Sequence, residues 1–184
     1  MKMTDGGTEM DDLVERARVF ATAAHAAVGQ VRKYTFEPYI IHPAQVADIV
    51  ATTQYWNVNM ISAAWLHDVV EDTKVTEDVL REEFGDGVTD LVMWLTNVSK
   101  PSDGNRKTRK RKDRDHLAQA PAEAQTIKLA DLISNTSTIV KYDPKFAKTY
   151  IPEKQELLEV LTKGDKQLWT RAYEMITDAK ISMK

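Results

Sequence analysis

The stretch from Ala63 to Thr73, AAWLHDVVEDT, sets His67, Asp68, Glu71 and Asp72 within six positions of a run that otherwise reads as a buried helix. On a helix at about 100° per residue, with His67 at zero, Glu71 falls at roughly 40°, Asp68 at roughly 100° and Asp72 at roughly 140°. A helix expected over about 58–72 would carry all four on one side and turn Ala63, Leu66, Val69 and Val70 to the core. The ordinary meaning of such a pattern is a solvated polar face. Adjacent imidazole and carboxylate are also the donors that Mn²⁺, Fe²⁺ or Zn²⁺ take, and a cation removes the penalty that clustered polar groups impose. Two ligands do not complete a site, and two other places offer more. His42 stands at an expected helix start with Pro43 after it, where proline's missing N–H is not needed, so a capping or surface histidine is the plain alternative. Asp131 lies in the apolar run IKLADLISNT, where a carboxylate without a partner is costly. Asn135 follows one turn later and points the same way.

The elements that must position these residues are helical. Apolar residues recur at 3-and-4 spacing, and the glycines and prolines fall mainly between the periodic segments. No alternating strand pattern appears, and the expected class is all-α. The predicted order runs from a helix over about 11–28, through the loop GQVRKYTFEPYII, to a helix opened by His42-Pro43 and then the His67 helix. Thr76 is expected to cap the next, with Glu77 and Asp78 at its positive end and Gly85 stopping it. A helix over DGVTDLVMWLTNVS, a flexible link KPSDGN and a basic helix over about 106–119 follow. Pro121 marks the entry to a buried helix through Asp131, and two amphipathic helices flank Gly164.

Composition sets bounds. A chain of 184 residues with 42% hydrophobic content suits one domain with one core, over 1–184. Within it, 1–10 is expected to be a flexible N terminus and about 141–184 to form helices packing on the core. The sequence contains no cysteine, which excludes disulfides, thiolate metal sites and thiol nucleophiles, so any metal falls to His, Asp, Glu or water. No window reaches the roughly 18 apolar residues of a membrane span, and the first residues lack the pattern of a secretory signal, so a soluble, cytoplasmic protein is expected. The formal charge of −3 disfavours a general nucleic-acid coat.

HP at 42, HD at 67 and KLAD ending at 131 resemble the H…HD…D signature of the HD-domain metallohydrolases. Five ordered blocks, FATAAHAAVGQVRK, EPYIIHPAQVADIV, AAWLHDVVEDT, FGDGVTDLVMWLTNVSK and KLADLISNT, are similar to the hydrolase domain of the RelA/SpoT family and its stand-alone small alarmone hydrolases. The resemblance implies a single HD-domain helical bundle in which His42, His67, Asp68 and Asp131 bind one Mn²⁺, other divalent metals being possible. It further implies that Glu71 and Asp72 orient and deprotonate water, that Arg32 and Lys33 meet substrate phosphates, and that Asn135 lies near the nucleotide sugar and base. The implied reaction removes the 3′-pyrophosphate of (p)ppGpp or (p)ppApp. A different HD nucleotidase or phosphodiesterase, an NADPH 2′-phosphatase and a catalytically silent nucleotide-sensing module are the alternatives.

The residue types agree with that chemistry. A divalent ion with two imidazoles and two carboxylates keeps open positions and acidifies bound water. Glu71 and Asp72, one turn from His67 and Asp68, are near enough for general base work. The family usually places a basic residue and an aromatic or His before the Asn, where this chain has Leu132-Ile133-Ser134, and Tyr34 replaces a small residue after the basic pair; both leave the purine open. The run Arg106–Arg114, with seven basic residues in nine, reads as a solvated face, an edge of a substrate site or a nucleic-acid contact. His25 reads as helix packing or a group near substrate. Leu157, Leu158, Leu161, Leu168 and Trp169 can complete the core or form a homodimer face.

Overall fold

The computed structural model describes residues 6–183, which divide into two compact units, one ending at Met93 and one beginning at Trp94. All regular structure among the described residues is helical apart from one isolated bridge between Val31 and Pro38.

The first unit holds α1 (Gly6–Ala27), α2 (Ile41–Ala51), α3 (Val58–Leu66), α4 (Val69–Asp72) and most of α5 (Glu77–Leu95). α3 packs against both α1 and α2. Ala17 and Ala21 on α1 and Ala63 and Ala64 on α3 are buried, and such small residues allow close helix approach. Asn57 starts α3 by accepting from the Met60 N–H at 3.0 Å, satisfying one of the donors a helix start leaves open. α1 begins at Gly6 rather than near Asp11; residues 1–5 of the expected flexible N terminus lie outside the described residues. Gly85 interrupts α5 with φ 74° and ψ 176°, a left-handed backbone region that glycine enters at least cost, so the two helices expected on either side of it are there.

One expectation fails. The helix over 58–72 is not continuous: α3 ends at Leu66, His67 and Asp68 form a turn, and α4 restarts at Val69. In an unbroken helix, neighbours i and i+1 point about 100° apart and cannot face each other. Asp68 at φ −102°, ψ −4° unwinds the chain, and the two side chains meet.

The second unit holds a 3₁₀ turn at Pro101–Asp103, α6 (Arg106–Gln119), α7 (Ala122–Tyr142), α8 (Pro144–Leu158) and α9 (Lys166–Ser182). α7 is its axis, packing on α8 and α9 and burying Ile127, Leu129, Leu132 and Ile133. Leu157, Leu158, Leu161 and Leu168 are buried here and complete this core. Side-chain caps begin three of the helices: Asn105 accepts from Thr108 N–H, Asp143 from Phe146 N–H and Asp165 from the Gln167 and Leu168 N–H groups.

The α8–α9 turn is held by buried polar groups of α7. Gln125 accepts from Lys163 N–H at 2.8 Å while donating to Leu117 O at 2.9 Å, and Thr126 Oγ1 accepts from Asp165 N–H at 3.0 Å. Between these bonds Gly164 sits so close to α7 that a Cβ there would lie 2.7 Å from Leu129 Cδ1 and 3.1 Å from the Gln125 carbonyl carbon. Gly164→Ala therefore overpacks the turn, with an expected loss of about 1–3 kcal/mol that thermal unfolding will show as a drop of several degrees in Tm.

Candidate metal centre

In the first unit, α2 supplies His42 and the α3–α4 break supplies His67 and Asp68. Both histidines are buried, and their rings meet edge to face with centroids 5.1 Å apart. Asp68 Oδ2 lies 3.0 Å from His67 Nε2 and 3.6 Å from His42 Nε2. His67 Nδ1 lies 2.8 Å from the carbonyl of Ala64. A carbonyl only accepts, so Nδ1 carries a proton and a neutral ring presents the Nε2 lone pair to the Asp68 carboxylate. Two acceptors at 3.0 Å repel unless a cation lies between them. A proton on Nε2 or a metal ion supplies it, and the anchored Nδ1–H is the outer bond that metal-ligating histidines make.

Asp68 has a second partner that sequence reasoning passed over. The Tyr39 hydroxyl donates to the same Oδ2 at 2.5 Å, and the Tyr39 ring packs on His25 and His42. Tyr39 reaches this position because the loop between α1 and α2 folds back on itself. Arg32 N–H donates to Glu37 O at 2.8 Å, and Phe36 N–H to Arg32 O at 3.0 Å. Arg32 extends over the Tyr39 ring, 5.9 Å from guanidinium carbon to centroid. Lys33 is exposed beside Tyr34, its Nζ 3.2 Å from the phenol oxygen. Loop chemistry thus ties one of the expected phosphate-binding residues, Arg32, to the ring that holds Asp68.

Glu71 and Asp72 lie on α4 and are exposed. Gln30, also missed, links Asp72 to the buried His25: its Nε2 donates to Asp72 Oδ2 at 2.8 Å, and its Oε1 lies 2.6 Å from His25 Nδ1, which must donate. His25 is a packing and hydrogen-bonding residue of this network. Spacing carried no sign of it, since residues 25, 30 and 72 belong to three different segments.

In the second unit Asp131 is buried on α7. Lys128 Nζ lies 2.8 Å from its Oδ2, and Asn135 Nδ2 donates to its Oδ1 at 2.6 Å. Asn135 is thus engaged with the carboxylate one turn before it. Ser137 and Thr138 turn their hydroxyls back to Ser134 O on their own helix. Burial, and then the negative charge of Asp131, pushes the Tyr150 phenol well above its ordinary value, so it stays a neutral hydroxyl on α8. His42 and His67 in the first unit and Asp131 in the second are each buried donors of a type that divalent metal ions take.

Three of the seven basic residues of the run on α6 are paired with acids of its own unit. Arg106 forks onto Glu153 through two bonds of 2.7 and 2.8 Å, Arg114 pairs with Glu156, and Lys112 lies 2.8 Å from Asp103. Two of these pairs tie α6 to α8. His116, on the same helix, stacks on Trp94 with centroids 4.7 Å apart.

The family model described as HD domain matches residues 17–157. The chain belongs to the HD-domain family. Among its HD-domain relatives is a probable guanosine-3′,5′-bis(diphosphate) 3′-pyrophosphohydrolase of Mycoplasma pneumoniae, 32% identical over 142 residues, covering 71% of this chain and 19% of that one. A protein of Aquifex aeolicus named for the same reaction is 33% identical over 147 residues, covering 78% and 20%. A GTP pyrophosphokinase of Myxococcus xanthus is 34% identical over 134 residues, covering 70% and 17%. The chain therefore spans about a fifth of the length of the curated relatives it matches. Among solved structures, a metazoan ortholog of SpoT that hydrolyzes ppGpp matches with a TM-score of 0.79 at 22% identity, covering 97% of this chain and 98% of that one. The HD-domain fold is all-helical, as expected from the spacing of apolar residues. No helix among the described residues is long and apolar enough to cross a membrane.

Proposed function

We propose that the chain hydrolyses the 3′-pyrophosphate of an alarmone nucleotide, (p)ppGpp or (p)ppApp. Water adds, pyrophosphate leaves, and a nucleoside 5′-di- or triphosphate remains. The observation that carries this reading is the 3.0 Å approach of His67 Nε2 to Asp68 Oδ2 with Nδ1 already committed to Ala64 O, because that arrangement calls for a cation. Relatives named for the 3′-pyrophosphohydrolase reaction support the substrate class.

In this reading His42, His67, Asp68 and Asp131 hold one divalent ion, with Mn²⁺ the expected metal. When bound, such an ion acidifies water and polarises a phosphoryl oxygen. The protein's own residues do the rest. Glu71 takes the proton from the attacking water, and Asp72, steadied by Gln30, orients that water. Arg32 and Lys33 bind the phosphates, and Asn135 orients Asp131 and faces the sugar and base. Tyr39 holds the Asp68 carboxylate in position. The family match runs through both units, which supports one hydrolase domain; in this reading it acts on a small nucleotide in the cytoplasm.

Turnover of ppGpp, ppApp, NADPH and cyclic dinucleotides, each with Mn²⁺ and with chelator, tests the proposal. Metal-dependent release of pyrophosphate from ppGpp or ppApp is expected. Release of orthophosphate from NADPH alone, or cleavage confined to cyclic dinucleotides, would replace the alarmone with those substrates. A smaller expectation concerns Tyr39→Phe. Losing the donor to Asp68 should weaken divalent-metal affinity by about 10–100-fold, read by titrating metal into the stripped protein.

A further inference from the structure

α6, α7 and α8 line a partly open cavity of about 80 Å³ within the second unit, its wall including Lys110, Arg114, Lys128, Glu153, Lys154 and Glu156. Its charges do not balance locally. Glu153 is taken by the fork of Arg106, Glu156 by Arg114, and Lys128 is paired with Asp131. Asp113, also in the lining, accepts from Ser99 N–H and Ser99 Oγ, both at 2.9 Å. Among the described residues neither Lys110 nor Lys154 lies within ion-pair distance of a carboxylate. The Lys154 ammonium instead sits 5.0 Å from the centroid of the Tyr150 ring.

Lys154 is half-buried, and an ammonium partly withdrawn from water without a carboxylate in ion-pair contact is costly to keep charged. Burial pushes Lys154 down to about 8, and the positive charges of Lys128 and Lys110 push the same way while Asp131 and Glu153 oppose them. With the pairs Arg114–Glu156, Arg106–Glu153 and Lys128–Asp131 counted as neutral, Lys110 and Lys154 stand against Asp113 alone, so the wall keeps a net positive charge. The space is well below the roughly 300–1,000 Å³ of pockets that hold a whole small molecule. It is the scale of one tetrahedral oxyanion group.

We propose that this cavity binds a single phosphoryl group, seated between Lys110 and Lys154 with Arg114 and Lys128 at its edges. The group can come from free orthophosphate or from the end of a larger phosphorylated molecule. The site stands on the second unit alone and does not depend on the hydrolase reading above.

The test is calorimetric titration of the full chain at fixed ionic strength, with orthophosphate, with GDP and with guanosine, repeated for Lys154→Met, Lys110→Gln and Lys154→Arg. Saturable orthophosphate binding that weakens by about tenfold or more in Lys154→Met and Lys110→Gln, and survives in Lys154→Arg, identifies a free-anion site. Binding of GDP but not guanosine or orthophosphate, with the same dependence on Lys154, identifies the phosphate of a larger molecule. No binding by any phosphorylated probe overturns the proposal, and so does binding unchanged by Lys154→Met. Thermal unfolding supplies an independent reading. Lys154→Met should raise Tm at pH 7 in chloride, since it removes an uncompensated charge. Adding orthophosphate should raise the wild-type Tm and leave the variant's unmoved; equal shifts in both count against the site.

Discussion

His67→Ala will lose bound divalent metal and turnover together. His67 is buried, its Nδ1 is anchored on Ala64 O, and its Nε2 faces Asp68 Oδ2 at 3.0 Å. Alanine removes a proposed ligand outright, so the affinity loss should exceed the roughly 10–100-fold that outer-shell partners cost. Metal content by elemental analysis and turnover by pyrophosphate release should fall in parallel. Far-UV circular dichroism should stay helical, because α3 is capped by Asn57 at its other end and buries its apolar residues as before. A variant that keeps both metal and rate would mean that the His67–Asp68 contact is a simple proton-mediated pair, and the proposed centre would be wrong.

Glu71→Gln should separate the two properties. Glu71 is exposed on α4, beyond the break that turns Asp68 toward His67, and is not one of the proposed ligands. Its amide replacement keeps size and hydrogen bonding but cannot take a proton. General base catalysis contributes about 10²–10⁴-fold, so turnover should drop by that factor while metal content is unchanged. Asp72→Asn is the companion, expected to cost less because the amide oxygen at position 72 can still accept from Gln30 Nε2 while Gln30 Oε1 stays on His25. Full turnover in Glu71→Gln with normal metal content would move the general-base role elsewhere.

The break at His67-Asp68 bears on both results. Wheel angles take the helix as continuous; with α3 ending at Leu66, the angle they give Glu71 relative to His67 has no geometric basis. What remains is the position of Glu71 on the short α4, immediately after the ligand turn. Helix α6, by contrast, was readable to its ends. Asn105 offers a cap at one end, Ala120-Pro121 stops it at the other, and the run between is too polar to be moved by burial.

The sequence alone determined the residue types available for chemistry, the helical class and most helix ends, because these depend on local spacing and on neighbours a few positions away. It also excluded cysteine chemistry. The tertiary structure decided which polar groups are held by which. Tyr39 on Asp68, Gln30 between His25 and Asp72, and the carboxylates committed around Lys110 and Lys154 all join residues far apart in the chain. Such contacts have no period to read, since their partners are set by how helices pack and where loops return. The unwound turn at His67 belongs with them: local propensity favours continuing the helix, and the meeting of imidazole and carboxylate at Oδ2 is what the fold arranges instead.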